Sequence, residues 1–216
     1  MRVLVAYLAT SGGADAVAVG VRLARTLHAD LDIAMVVPQD RAAHLLPSTS
    51  FDDVLVEQTE QWLAEAAEFV PADVPVSTHV VLHDSVAGGL IAEAQRLDAA
   101  ALVVGGAGGG LIGGHTLGSV VNELLHSSPV PILLSPRGIR TSLRNSDGSV
   151  HGTARLAEAI SVETAIATLE WHADQLITAG SSRPVQPRRL TLGSTAAKKL
   201  RTLDVPMLVI PPVDAA

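Results

Sequence analysis

Short apolar runs alternate with segments of helical periodicity along the first two-thirds of the chain. Apolar residues are nearly continuous within the runs and recur every three or four positions between them. This is the pattern of strands buried on both faces and of helices that cover them. Predicted strands span residues 3–7, 32–37, 76–82, 100–104 and 132–134, and predicted helices span 14–27, 50–69 and 84–97, with another beginning at Gly118. The pattern predicts an α/β fold with a doubly wound, five-stranded parallel sheet.

The order of the strands is not fixed by this alternation. Five parallel strands joined by right-handed crossovers fit the order 2-1-3-4-5 or a relative of it. In either case a ligand is expected beyond the carboxyl ends of the strands, where the strand order reverses.

A glycine-rich run between residues 105 and 119 separates the fourth predicted strand from the next helix. Glycine permits positive φ and lets backbone N–H groups gather around an anion. Gly118 and Ser119 begin a helix whose first amides, including that of Val120, are unpaired and whose dipole favours negative charge. The order of strand, glycine loop and helix N-terminus predicts a phosphate site. Ser119 could bind the phosphate, serve as the helix N-cap, or do both.

A flexible glycine linker is the simpler interpretation of this run. Its position between a buried strand and an amphipathic helix disfavours that interpretation. The run is not a P-loop either, because no Gly-Lys-Ser/Thr sequence closes it.

Composition narrows the classes of function. The 216 residues are 48% hydrophobic and 17% charged, which excludes disorder for most of the chain. The net charge of −7 argues against a nucleic-acid surface, and the absence of cysteine excludes thiolate metal sites. No apolar run is long enough to span a membrane, and Met1 leads directly into a strand, which leaves no room for a signal peptide. We therefore expect a cytoplasmic protein that contacts neither nucleic acid nor membrane.

The last third of the chain repeats the end of the first part. A shift of 75 positions superposes Gly105 on Gly180 and Thr116-Leu-Gly-Ser119 on Thr191-Leu-Gly-Ser194. The same shift aligns Leu125, Val130-Pro131, Leu133 and Pro136 with Leu200, Val205-Pro206, Leu208 and Pro211. This self-similarity predicts a first domain over 1–137, a polar linker over 138–152, and a truncated, degenerate second copy over 153–216. Within that copy a helix is expected at 153–169 and a strand at 174–179.

The second copy lacks the features of a ligand site. Arg183 stands where the first copy has Gly108, and Pro184 and Pro187 remove backbone donors from the loop. The eight histidines show no zinc-binding spacing. His79 and His83 are interpreted as ordinary surface or core residues, since on a strand they lie about 13 Å apart.

The spacing Gly105-x2-Gly108-x9-Gly118-Ser119 resembles the nucleotide-binding signature of the universal stress protein family. The proline-flanked strand at 129–136 follows it, as in that family. The resemblance implies the strand order 3-2-1-4-5 and a bound ATP or AMP, with or without Mg²⁺, whose adenine lies over the ends of the first two strands. The site residues it implies are Tyr7, Ala9, Thr10, Val36, Val104, Gly105, Gly108, Gly118, Ser119 and Val120. It also implies that the last strands of the two copies pair antiparallel, so that the copies form a pseudo-dimer within one chain. The whole protein is then expected to be a monomer or a homodimer.

Three functions follow, of which the first is preferred. The first is a stress-response protein that binds an adenine nucleotide without catalysis, since neither a general base nor a metal-binding carboxylate pair is evident. The second is a structural or partner-binding module with a vestigial site, because ATP-binding family members usually carry an aspartate after the first strand and Tyr7-Leu-Ala-Thr-Ser11 has none. The third is an adenylyl-transferring enzyme, for which His115 is the only nearby candidate.

Overall fold

The computed structural model describes residues 1–39, 51–106, 118–140, 175–180 and 205–210. The strands are β1 (Arg2–Ala6), β2 (Asp30–Pro38), β3 (Val76–His83), β4 (Ala99–Gly105), β5 (Ile132–Ser135), β6 (Ile177–Gly180) and β7 (Met207–Ile210). The helices are α1 (Ser11–Leu27), α2 (Phe51–Glu68), α3 (Val86–Arg96) and α4 (Ser119–Ser127). The predicted helix at 153–169 and the sites at Gly108, His115, Arg183, Pro184 and Pro187 lie outside the described residues.

The strands form one sheet in the order β3-β2-β1-β4-β5-β7-β6. Strands β1 to β5 are mutually parallel, which confirms the predicted fold class and the order 3-2-1-4-5 implied by the family resemblance. The order 2-1-3-4-5 is wrong. The chain moves outward from β1 through β2 to β3 and then crosses over to place β4 on the other side of β1, so the strand order reverses between β1 and β4.

Helices cover both faces of the sheet. Helices α1 and α2 contribute Ala16, Val17, Leu63 and Ala66 to one apolar core, while α3 and α4 contribute Leu90, Ala94, Leu124 and Leu125 to the other. Alternate residues of each strand enter opposite cores: Val3 and Val5 face α1, and Leu4 faces α3. This alternation within fully buried strands explains why their sequences read as continuous apolar runs.

Helix α1 begins at Ser11, three residues earlier than the hydrophobic pattern predicts. Thr10 is extended, with φ −136° and ψ 167°, and its hydroxyl oxygen accepts a hydrogen bond from the Gly13 N–H at 3.2 Å. This cap allows the helix to start across Gly12 and Gly13, although glycine disfavours helix interiors.

The pairing of β6 with β7 at the edge of the sheet repeats the pairing of β4 with β5. Strand β7 pairs antiparallel with β5, and β6 pairs parallel with β7. The pairs Ile177↔Met207 and Gly180↔Ile210 are the 75-residue counterparts of Leu102↔Ile132 and Gly105↔Ser135. The predicted antiparallel contact between residues 132–134 and 207–209 is therefore confirmed. The intervening parts of the second copy fall outside the described residues, so its boundaries stay predictions.

A chain of ion pairs joins the sheet to α3. Asp32, 1% exposed, binds Arg2 at 2.8 Å and the Nε2 of His79 at 2.7 Å through the same carboxylate oxygen. The other ring nitrogen of His79 lies 3.3 Å from Glu93, which also binds Arg96 at 2.6 Å. The residues come from β1, β2, β3 and α3, so the network depends on tertiary structure, and His79 has a more specific role than the sequence indicated.

Candidate functional site

A cavity of about 410 Å³ opens at the carboxyl ends of β1 and β4, where the strand order reverses. This is the position at which open α/β sheets bind ligands. The described residues that line the cavity are Ala6, Tyr7, Leu8, Thr10, Ser11, Gly12, Gly13, Ala34, Val36, Val86, Leu90, Val104, Gly105, Gly106, Gly118, Ser119, Val120, Val121 and Arg137.

One side of the cavity is apolar. It is formed by Ala34 and Val36 on β2, by Val86 and Leu90 at the start of α3, and by Val104 on β4. These side chains offer a surface against which a flat, weakly polar group can pack without losing hydrogen bonds.

The other side is formed by backbone at the N-termini of two helices. Helix α1 presents Ser11 and Gly12, and α4 presents Ser119 and Val120. Gly118 is the N-cap of α4, and no side chain caps that helix. The interpretation of Ser119 as the N-cap is therefore wrong: Ser119 is the first helical residue. Unpaired N–H groups and two helix dipoles favour an anion on this side.

Gly105 owes its identity to a close approach between two backbones. A Cβ at Gly105 would overlap the carbonyl of Gly12, and a Cβ at Gly12 would lie 2.6 Å from the carbonyl oxygen of Gly106. The expectation that glycine serves here by adopting positive φ is wrong for Gly105 and for Gly118, whose φ is −72°. Among the described glycines only Gly138 has a positive φ, of 77°. Absence of Cβ brings the start of the glycine loop against the N-terminus of α1.

The amide of Gly106 is not available to a phosphate. It donates to the carbonyl of Ser135 at 3.1 Å and so extends the pairing of β4 with β5. The N–H groups of the glycine-rich run that are expected to gather around an anion therefore do not include that of Gly106.

The structure brings eight of the ten predicted site residues to one cavity. They are Tyr7, Thr10, Val36, Val104, Gly105, Gly118, Ser119 and Val120. Ala9 is exposed and is not among the lining residues, and Gly108 lies outside the described residues. Ligand contact by each of these residues stays a prediction.

Tyr7 enters the site from the end of β1. Its backbone N–H donates to the Ala34 carbonyl at 2.8 Å, which fixes the turn that leads to α1. Burial, and to a lesser degree the negative charge of Glu65, raises the pKa of the Tyr7 phenol. The hydroxyl is therefore protonated at neutral pH and can donate a hydrogen bond.

Sequence reasoning missed several lining residues. Val86 and Leu90 carry no chemical signature that distinguishes them from core residues. Gly12 and Gly13 could have been found from Thr10-Ser11, a typical N-cap sequence directly after a strand. Arg137 had no signal beyond its place after the fifth strand.

No cluster of three or more His, Asp or Glu side chains suited to a metal ion occurs within the described ranges. In the same part of the chain, no helix combines the length and apolarity needed to cross a bilayer.

Comparison with known proteins gives the chain its family. The model of the universal stress protein family matches residues 1–136. A universal stress protein of Mycobacterium tuberculosis strain H37Rv is 35% identical over 148 residues, which are 65% of this chain and 50% of that protein. A relative in Mycobacterium bovis matches with the same identity and coverage. The chain therefore spans about half the length of these curated relatives.

Solved structures agree with this fold. A universal stress protein from Archaeoglobus fulgidus DSM 4304 superposes with a TM-score of 0.64 at 15% identity, covering 97% of this chain and 98% of that one. A second structure from A. fulgidus covers 62% of this chain and 98% of its own length, with a TM-score of 0.51 at 17% identity. With its glycine signature, its 3-2-1-4-5 strand order and this match to the family model, the chain belongs to the universal stress protein family.

Proposed function

We propose that residues 1–137 bind an adenine nucleotide, ATP or AMP, and that the protein acts in a stress response by binding rather than by catalysis. The observation that carries this proposal is the cavity at the carboxyl ends of β1 and β4, which is apolar where β2, β4 and α3 line it and is lined by backbone where α1 and α4 begin.

The dimensions and chemistry of the cavity suit such a ligand. Its volume of about 410 Å³ lies within the range of about 300 to 1,000 Å³ that is usual for small-molecule sites. A purine ring packs against Val36 and Leu90, while the phosphates meet the amides at Ser119 and Val120. Each charge-assisted hydrogen bond from these amides contributes about 1.5–3 kcal/mol, so a few give micromolar affinity.

Any Mg²⁺ would enter with the phosphates, since the described residues offer no cluster of ligands to hold it alone. The chain's own part is then to bind and orient the nucleotide. Residues 153–216 are proposed to be a truncated second copy that pairs with the first through β7 and serves no ligand.

A vestigial site is the second candidate, favoured by one observation. No Asp or Glu side chain is among the described residues that line the cavity, so the ribose hydroxyls lack a charged acceptor there. In that case the folded domain would act as a partner-binding module.

Isothermal titration of the full chain with ATP, AMP and GMP separates these functions. We expect micromolar binding of ATP or AMP and weaker binding of GMP. Val120→Trp, which fills the cavity from α4, should abolish binding. Val54→Trp is the matched control, since Val54 is 62% exposed on α2 and lies away from the cavity. Absence of any nucleotide binding by the wild-type protein would favour the vestigial site.

A further inference from the structure

Arg137 is the only formally charged side chain among the described residues that line the cavity. It follows β5 by two residues and is half-buried. Because β5 pairs with β4, and the Gly106 amide donates to the carbonyl of Ser135, Arg137 lies beside the start of the glycine loop. Arg137 therefore lies on the side of the cavity that holds the helix N-termini.

A buried carboxylate holds the segment that carries this arginine. Asp15 lies in α1 and is 1% exposed. One of its oxygens accepts a hydrogen bond from the Gly138 N–H at 2.8 Å, and the other accepts from the N–H and Nε of Arg140 at 3.3 and 3.0 Å. Ile139, between them, is 3% exposed in the core under α1.

The turn itself also depends on one residue of this segment. Gly138 has φ of 77°, a conformation that side chains with a Cβ rarely adopt. Together, the glycine and the three hydrogen bonds to Asp15 fix the chain immediately after Arg137. A flexible tail after β5 would place the backbone of Arg137 in many positions, whereas this turn holds it in one.

The positive charge of Arg137 matters because the net negative charge of the protein repels anions. The net charge is −7, and helix dipoles supply only partial positive charge. An arginine provides a full charge and several donors in a planar arrangement that matches phosphate oxygens.

We infer that Arg137 binds the phosphate of the ligand and that Asp15 is the positioning residue that holds it there. This inference rests on the proposed nucleotide function and makes the site selective for phosphorylated over unphosphorylated nucleosides. Arg137 contacts the ligand, whereas Asp15 acts only through the turn.

The test is the ratio of the affinities for AMP and adenosine, measured by calorimetry on the full chain. Arg137→Gln should weaken AMP binding by about tenfold to a hundredfold and leave adenosine binding within about twofold. Arg137→Lys, which keeps the charge but loses the planar arrangement, should recover part of the AMP affinity. Asp15→Asn should shift the ratio in the same direction as Arg137→Gln, with adenosine binding retained.

Arg25→Gln is the matched control for loss of one positive charge. Arg25 is exposed on α1, pairs with Asp73 and lies away from the cavity. An unchanged ratio in Arg137→Gln, or an equal loss of AMP and adenosine affinity, would overturn the inference about Arg137. Binding of AMP by the wild-type protein would still support the proposed function. A wild-type protein that binds neither compound would instead overturn the proposed function.

Discussion

Leu133 and Leu208 lie opposite each other in the antiparallel pair formed by β5 and β7, and they are 75 residues apart in the chain. This separation equals the shift at which the end of the sequence repeats its middle. The flanking pairs obey the same rule: Ile132 faces Val209, and Leu134 faces Met207. Two equivalent strands therefore meet about a local two-fold axis between these leucines, within one chain.

This relationship predicts what removal of the second copy does. Truncation after Arg140 keeps the Asp15 contacts but removes Val205 and β7. Val205 and the β7 residues Met207 and Val209 are buried in the core shared with α3 and α4. The uncovered β5 edge should pair with a second molecule or aggregate. Sedimentation velocity checks this, since the full chain has its β5 edge covered in cis. A truncated protein that stays a monomer with unchanged melting temperature would contradict it.

The close approach of Gly105 and Gly12 predicts a coupled loss of stability and binding. Gly105→Ala should destabilise the fold by about 1–3 kcal/mol, because its Cβ overlaps backbone that cannot rotate away. The displaced loop should also weaken AMP binding. Thermal denaturation and calorimetry measure the two effects.

Gly20→Ala separates stability from binding. Gly20 lies in α1, as Gly12 does. A Cβ at Gly20 would lie 2.5 Å from Val5 in the core, away from the cavity. We expect lower stability with AMP affinity retained. If both variants lose stability but neither loses AMP affinity, the Gly105 contact does not shape the site.

Leu8 is the position at which a carboxylate should improve binding. It lines the cavity and is 54% exposed, so an aspartate there reaches the ligand without a buried charge. Leu8→Asp should tighten adenosine binding by about 1–2 kcal/mol, or roughly tenfold, through a ribose hydroxyl. Ala9→Asp is the matched control, because Ala9 is exposed and does not line the cavity. Equal affinities in both variants and the wild type would favour a vestigial site.

The network that joins β2 and β3 to α3 predicts a loss of stability in acid. Hydrogen bonds from Arg96, with smaller contributions from the charges of Arg96 and His79, lower the pKa of the Glu93 carboxyl from 4.5 against the opposing effect of burial. A pKa that is lower in the folded state contributes stability above the unfolded value, and this contribution is lost as pH falls through the folded value. The melting temperature should therefore decline below about pH 4.5.

Glu93→Gln should remove part of this decline, since a glutamine does not titrate. Asp32 also binds His79, and Arg2 binds Asp32, so both belong to the network around Glu93. Glu123→Gln, at an exposed position on α4, is the control. If the melting temperature falls by the same amount between pH 7 and pH 3 in the wild type and in Glu93→Gln, Glu93 does not contribute to the loss of stability in acid.

Sequence reasoning was accurate about which residues lie at the cavity where that position follows from their neighbours in sequence. Gly118 and Ser119 follow a strand and a glycine loop and precede an apolar-periodic helix, and they line the cavity as expected. It was inaccurate where the role depends on contact across the fold. Gly105 is required by the backbone of Gly12, which no local pattern links to it.

Local patterns along the chain were sufficient to predict strands β1 to β5 and the repeat that relates β4 and β5 to β6 and β7. Periodicity is a local property, because burial on one or both faces leaves its mark on adjacent residues, and it located β1 to β5 within about two residues at their ends. The 75-residue repeat identified the two equivalent strands, and the family resemblance implied that they pair antiparallel. The Asp32–His79–Glu93 network and the place of Arg137 became apparent only in the folded structure. The strand order likewise could not be derived from the residues, although the family resemblance implied it. These depend on crossovers and register, which bring distant residues together and leave no periodic trace along the chain.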